Sequence, residues 1–90
     1  MRKRVEVFYS GRVQGVGFRF TAESIAGELG VCGWVKNLRD GNVQLMAEAE
    51  EGILKDFLSK IKESFSPYIA DSDITWLEAT SEFQGFEIRF

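Results

Sequence analysis

The sequence predicts an α+β fold in which two helices cover one face of a small antiparallel sheet. Apolar residues alternate in some segments, as in strands, and recur at three- and four-residue steps in two others, as in helices. These segments follow the order β-α-β-β-α-β, with one more short strand at the end. Two βαβ-type units in so short a chain are typical of the ferredoxin-like α/β sandwich. The length of 90 residues suits one domain, so we expect residues 1–90 to form a single unit.

The first strand and the first helix are separated by a loop rich in glycine. Residues 5–9 read Val-Glu-Val-Phe-Tyr, and their β-branched and aromatic side chains predict a strand. Apolar residues from Phe18 to Leu29 lie at helical spacing and predict an amphipathic helix, which ends at Gly30. Between the two elements, residues 11–19 read Gly-Arg-Val-Gln-Gly-Val-Gly-Phe-Arg.

Two strands and a helix are predicted in the middle of the chain. The apolar run over residues 31–35 is short enough for a buried strand. A turn at Asp40-Gly41 leads into residues 43–49, whose alternation of apolar and polar side chains predicts a half-buried strand. Residues 53–61 then carry a clear apolar face at helical spacing.

The last part of the chain is predicted to contain a loop and two short strands. Residues 64–73 include Pro67, the only proline, and are expected to form a loop. Residues 74–79 are strand-like, and alternation over residues 86–90 predicts a short final strand.

The predicted topology brings two polar segments to one edge of the sheet. A βαβ unit makes the first two strands parallel, with the third expected between them. Residues 11–19 leave the carboxyl end of the first strand, and Asn37 lies at the carboxyl end of the second. Because ligands of α/β sheets favour such edges, we expect these residues to meet in a site.

The glycine-rich loop can form a small anion-binding cradle. Glycines let several backbone N–H groups point at one spot, and the helix amino end adds further donors and a partial positive charge. Arg19 adds a planar guanidinium that can grip two phosphate oxygens. The loop lacks the Gly-Lys-Ser/Thr of a P-loop, and Phe20 stands where the dinucleotide pattern needs glycine. From spacing alone, a tight turn that binds nothing is an equal alternative.

Composition indicates which kinds of partner and which cellular location to expect. The net charge of −3 argues against a nucleic-acid partner. No apolar run is long enough for a signal peptide or a membrane anchor, so we expect a cytoplasmic location. We also expect a monomer. The single cysteine, Cys32, cannot form an intrachain disulfide and is expected in the core, as are Trp34 and Trp76.

Conventional catalytic groups are scarce. The chain has no histidine, which excludes Ser-His and Cys-His catalysis, and no spacing typical of metal ligands. We therefore expect no metal and no cofactor. The remaining arginine, asparagine and backbone amides can bind an anion and orient a water molecule, but they cannot abstract protons near neutral pH. An enzyme built from them needs a substrate that is already reactive.

Two segments resemble the acylphosphatases. Residues 11–19 match the family pattern G-x-V-Q-G-V-x-F-R, and residues 30–43, G-V-C-G-W-V-K-N-L-R-D-G-N-V, match G-x-x-G-W-V-x-N-x-x-D-G-x-V. The resemblance is strong over residues 5–49 and rests in the second half mainly on the helix and the final F-E-I. Two departures, a missing glycine near the end of the third strand and a missing Gly-Pro after the second helix, lie away from the matched segments.

The resemblance implies a hydrolase that splits the carboxyl-phosphate bond of small acyl phosphates without metal or covalent intermediate. It implies that Arg19 binds the phosphoryl group, and that Asn37 positions the attacking water. Inorganic phosphate is the expected product and competitive inhibitor. The implied phosphate-binding loop consists of Gln14, Gly15, Val16, Gly17, Phe18 and Arg19.

Two alternatives to an acylphosphatase stay open at this point. A non-enzymatic ferredoxin-like module would bind RNA or a small ligand without turnover. An acylphosphatase-like domain excised from a carbamoyl-transfer maturation protein would share the motifs but belong to a much longer chain.

Overall fold

The computed structural model covers residues 1–90 and contains five strands and two helices. They are β1 (Arg2–Gly11), α1 (Phe18–Leu29), β2 (Cys32–Asn37), β3 (Val43–Glu50), α2 (Glu51–Phe65), β4 (Ile69–Glu78) and β5 (Phe86–Arg89). The strands form one sheet in the order β4-β1-β3-β2-β5. This order confirms the predicted ferredoxin-like α+β class, with β3 between β1 and β2. Neither helix has the length and apolar character of a membrane span.

One face of the sheet is buried under both helices. Val5, Val7 and Tyr9 of β1 lie opposite apolar residues of β3, and cross-strand partners share a face. These strand residues and the apolar stripes of both helices form one cluster of 18 buried side chains. The helical members are Phe18, Ala22, Ile25 and Ala26 of α1 and Leu54, Phe57, Ile61 and Phe65 of α2. The core therefore fixes α1, and with it the loop before α1, against the sheet.

Strand β5 departs from the predicted antiparallel sheet. β1 is antiparallel to β3 and β4, and β2 is antiparallel to β3, but β5 is parallel to β2. The physical reason is that β4 and β5 lie at opposite edges. Residues 79–85 therefore cross the sheet instead of forming a hairpin, and the sheet is mixed.

The prediction of a loop over residues 64–73 is wrong for most of that stretch. α2 continues to Phe65 and β4 begins at Ile69, which leaves a short turn. In this turn the Tyr68 N–H donates to the Phe65 carbonyl at 2.8 Å, and the Tyr68 carbonyl accepts from the Arg12 N–H at 2.8 Å. Pairing with β1 along the length of β4 outweighs the weak strand propensity of its aspartates and serines.

Three residues predicted in the core lie outside it. Trp76 is 42% exposed because β4 is an edge strand. Cys32 and Trp34 of β2 point to the face opposite the helices, where they are half-buried. The Arg89 guanidinium lies 4.8 Å from the Trp34 ring centroid. Aromatic content alone did not distinguish the two faces of the sheet.

The segment that joins β4 to β5 is held by a buried carboxylate, Glu48 of β3. Glu48 is fully buried, and it accepts from the Ser81 N–H at 2.7 Å and the Thr80 N–H at 3.0 Å. Arg4 Nε donates to it at 3.1 Å, and the same guanidinium binds Glu82. Burial alone would raise the pKa of Glu48, but these donors outweigh it and hold the pKa below its ordinary value.

We expect Glu48→Gln to lower the free energy of unfolding at neutral pH by about 2–4 kcal/mol, because Arg4 loses its buried charge partner. The folded-state pKa of Glu48 is depressed. Its stabilisation is therefore present above the ordinary glutamate value of about 4.3 and is lost as the pH falls through the folded value. The difference in the free energy of unfolding between wild type and variant should therefore become smaller in acid.

Urea denaturation at about pH 7 and about pH 3 measures this gap. Glu63→Gln, at an exposed position of α2, serves as the control and should change stability by less than about 0.5 kcal/mol. An equal gap for Glu48→Gln at both pH values would show that the carboxylate charge contributes nothing.

Candidate active site

The loop between β1 and α1 takes its shape from glycine. Gly15 and Gly17 have φ angles of 76° and 80°, in the left-handed region that side chains disfavour. Gly17 precedes α1, and its carbonyl accepts the first helical hydrogen bond, from the Thr21 N–H at 3.1 Å. The free N–H groups of the first helical turn therefore lie directly after the loop.

Gln14 ties this loop to the turn between β2 and β3. Its Nε2 donates to the Leu38 carbonyl at 2.7 Å and to the Asn42 carbonyl at 2.9 Å. Gln14 is one of the loop residues predicted to bind phosphate through their amides, and its side chain has this additional contact. No spacing rule signals such a contact, because its two acceptors are backbone carbonyls far along the chain.

A small cavity of about 140 Å³ opens between the loop, the start of α1 and the end of β2. Its lining consists of Val13, Gly15, Gly17, Phe18, Arg19, Phe20 and Asn37. The structure thus brings Arg19 and Asn37 together, as the predicted topology requires. Of the other predicted loop residues, Gln14 faces the neighbouring turn and Val16 packs against the core. Cavities for drug-sized ligands measure roughly 300–1,000 Å³, so this one suits a group as small as phosphate.

Three larger depressions lie elsewhere on the surface, with volumes of about 490, 550 and 580 Å³. Each has at least one carboxylate in its wall: Glu82 in the first, Asp71 in the second and Glu51 in the third. The small cavity contains an arginine and no carboxylate. Electrostatics therefore select the small cavity, rather than the larger ones, for an anion.

Arg19 supplies the only charge of this cavity. It lies in the first turn of α1 and forms no ion pair within the chain. Its Nη1 donates to the Arg89 carbonyl at 3.4 Å, and its Cζ lies 4.8 Å from the Phe90 ring centroid. These contacts hold the guanidinium without neutralising it, so its charge stays available to a ligand.

Asn37 supplies an unused acceptor. It ends β2, and its Oδ1 is buried with no hydrogen-bond partner in the protein. A buried acceptor without a donor costs about 1–3 kcal/mol and is rare in folded proteins. A donor from outside the chain, such as a water molecule, would satisfy it.

The lining contains no carboxylate, imidazole or thiol. No set of three or more His, Cys, Asp or Glu side chains in the chain is arranged to hold a metal ion. The cavity can therefore bind an anion through Arg19 and nearby amides and can hold a hydrogen-bond donor at Asn37, but it offers no protein base.

The sequence profile of the acylphosphatase family matches residues 5–88. The chain belongs to the acylphosphatase family. An acylphosphatase of Roseiflexus sp. is 42% identical over 86 residues, which cover 94% of this chain and 92% of that protein. An acylphosphatase of Lactobacillus johnsonii is 41% identical over 90 residues, which cover 98% and 99% of the two chains.

The crystal structure of the acylphosphatase from Bacillus subtilis has the same fold. It is 34% identical to this chain, with a TM-score of 0.90 over 100% of both chains. These comparisons confirm the resemblance seen in the motifs and support acylphosphatase activity. They favour neither the non-enzymatic module nor the excised domain.

We expect Gln14→Ala to weaken phosphate inhibition of this acylphosphatase more than about threefold, because the loop loses both hydrogen bonds to the β2–β3 turn. Phosphate inhibition constants measure the effect. Gln44→Ala removes a side-chain hydrogen bond to Glu6, on the sheet face without helices, and should leave phosphate inhibition unchanged. Equal inhibition constants for wild type and Gln14→Ala would show that the loop needs no such support.

Proposed function

We propose that this acylphosphatase splits the carboxyl-phosphate bond of acyl phosphates in the 140 Å³ cavity, by direct attack of a water molecule. The observation that carries the proposal is that Arg19 and Asn37, whose Oδ1 has no partner in the protein, line one cavity without a carboxylate. One group suits the phosphoryl oxygens and the other suits the attacking water.

The phosphoryl group is bound by Arg19 and by the backbone amides of the loop from Gln14 to Arg19. A guanidinium can donate two parallel hydrogen bonds to phosphate oxygens, and an anion at a helix amino end also gains from the helix dipole. Inorganic phosphate offers the same oxygens as the substrate. It therefore binds at the same place and inhibits competitively.

The attacking water is held by Asn37. The water donates one hydrogen bond to Oδ1, which leaves an oxygen lone pair free to face phosphorus. A new P–O bond forms to this oxygen while the bond from phosphorus to the acyl oxygen breaks, and the carboxylate leaves. The proton of the water passes to a phosphoryl oxygen of the substrate.

This reaction suits a site without a protein base. A carboxylate is a good leaving group and needs little help from an acid, and phosphoryl transfer depends mainly on positioning and charge stabilisation. Arg19 and the amides stabilise the charge that spreads over the phosphoryl oxygens. Neither a metal nor a cofactor enters any step.

Four further attributes accompany the proposal. The 18-residue core supports residues 1–90 as one domain. The proposed oligomeric state is a monomer. The net charge of −3 argues against nucleic-acid partners, and the unpaired Cys32 is compatible with a cytoplasmic location.

A hydrolysis assay with a simple acyl phosphate, run with excess chelator, tests the function directly. We expect turnover that the chelator does not reduce and that phosphate inhibits competitively. Absence of turnover alongside phosphate binding would favour the non-enzymatic module. Loss of turnover with chelator would contradict a metal-free mechanism.

Arg19→Ala should lower kcat/KM by at least about 1,000-fold, because the phosphoryl group loses its only cationic partner. Arg12→Ala is the matched control: Arg12 belongs to the same loop but its side chain is exposed and outside the cavity. It should change kcat/KM by less than about threefold. Similar losses of kcat/KM in the two variants would show that the effect comes from the reduced positive charge of the loop and not from a specific contact of Arg19.

Asn37→Ala should lower kcat by about 100-fold or more while the phosphate inhibition constant changes by less than about threefold, because only the water loses its partner. The melting temperature should not fall, since the side chain removed carries an unsatisfied buried acceptor. Asn42→Ala, in the adjacent turn, is the control and should leave kcat unchanged. A parallel loss of turnover and phosphate binding would show that Asn37 shapes the loop instead.

A further inference from the structure

Phe20 is an exposed aromatic residue in the wall of the cavity. Its side chain is 68% exposed, although it follows Arg19 directly in α1. Phe18, two residues earlier, is only 2% exposed and belongs to the core. Three consecutive residues of the helix thus lie in different surroundings. Phe18 is in the core, Arg19 lines the cavity, and Phe20 faces solvent at the mouth of the cavity.

The fold does not need the Phe20 ring. Phe20 is absent from the core cluster and from the partly buried apolar residues that pack against it. It forms none of the aromatic pairs of the protein. An exposed phenylalanine in a helix adds nothing that a polar residue or alanine would not provide, and its helix propensity is lower than that of alanine.

The reaction geometry leads the acyl group towards the mouth of the cavity. In an in-line displacement the leaving oxygen lies opposite the attacking water. In the proposed mechanism Asn37 holds the water through a buried carboxamide oxygen, so the water lies on the inner side of the phosphoryl group. The acyl group, attached through the leaving oxygen, must therefore extend outwards, past the exposed part of the wall.

Phe20 is the wall residue that can receive this group. Val13 and Phe18 are buried in the core, and the two glycines offer no side chain. Arg19 and Asn37 are committed to the phosphoryl group and the water. The wall contains no second cation that could pair with a carboxylate on the acyl group.

We propose that Phe20 contacts the acyl group and makes this enzyme prefer acyl phosphates with aromatic or large apolar acyl groups to those with small or acidic ones. The inference rests on the function proposed above, since it assumes phosphate at Arg19. Phe90 offers a second exposed ring, 93% exposed, against the Arg19 guanidinium. Phe90 itself does not line the cavity, which makes Phe20 the main determinant.

The test compares kcat/KM for benzoyl phosphate and acetyl phosphate in wild type and Phe20→Ala. The ratio of the two values should fall about 5- to 20-fold in the variant, because the phenyl group loses apolar contact that a methyl group scarcely makes. Phe20→Leu keeps an apolar side chain and should lose less than half of this effect on a logarithmic scale. Succinyl phosphate should be a poor substrate of the wild type.

A binding measurement separates this contact from catalysis. Phenylphosphonate should inhibit the wild type more strongly than methylphosphonate, and Phe20→Ala should reduce that preference about 5-fold or more. Leu77→Ala, which truncates an exposed apolar residue on β4, should leave both ratios unchanged. Because Phe20 is exposed, unchanged circular dichroism and phosphate inhibition are expected for its variants.

Each outcome has a separate meaning. Wild type that hydrolyses neither acyl phosphate overturns the proposed function itself. Wild type that hydrolyses both, with equal substrate ratios in Phe20→Ala and wild type, overturns only the acyl-group contact. A ratio that changes in Phe90→Ala but not in Phe20→Ala also overturns the assignment to Phe20.

Discussion

The parallel course of β1 and β2 on either side of β3 is the constraint on which the site depends. It places the carboxyl ends of both strands at one edge, so the loop after β1 and Asn37 at the end of β2 meet although they are far apart in sequence. The core under α1 fixes the third side of the cavity. Gln14 closes the arrangement by joining the loop to the β2–β3 turn through two short hydrogen bonds.

Contacts on the sheet face without helices also support the site, because they anchor the segment that leads to β5. This strand has only four residues and one neighbour, β2, yet its Arg89 carbonyl accepts from Arg19. The segment that leads to β5 crosses the sheet and is anchored by Glu48, a buried carboxylate whose pKa is held down by its donors. An ion pair on the sheet face without helices thus anchors the segment that leads to a strand in contact with Arg19.

The sequence predicted the parts of the fold and site that depend on local periodicity and on motif spacing. The element order, the central place of β3 and the meeting of Arg19 with Asn37 followed from these signals. The parallel pairing of β5 did not, because no local pattern states which edge a short strand joins. The contacts of Gln14 and Glu48 with backbone groups were equally inaccessible, since backbone donors and acceptors leave no mark on the sequence.

In the proposed mechanism, the unsatisfied acceptor of Asn37 lets so small a protein carry out hydrolysis with few functional groups. Burying a carboxamide oxygen without a donor costs stability, and a water molecule that donates to it offsets that cost; in the proposed mechanism the same water faces phosphorus. Arg19 carries no comparable cost in stability, because its guanidinium contacts the Arg89 carbonyl and the Phe90 ring. Stability is thus lost at one atom, Asn37 Oδ1. In the proposed mechanism this atom orients the attacking water, and the reaction depends on that orientation because its leaving group needs no acid.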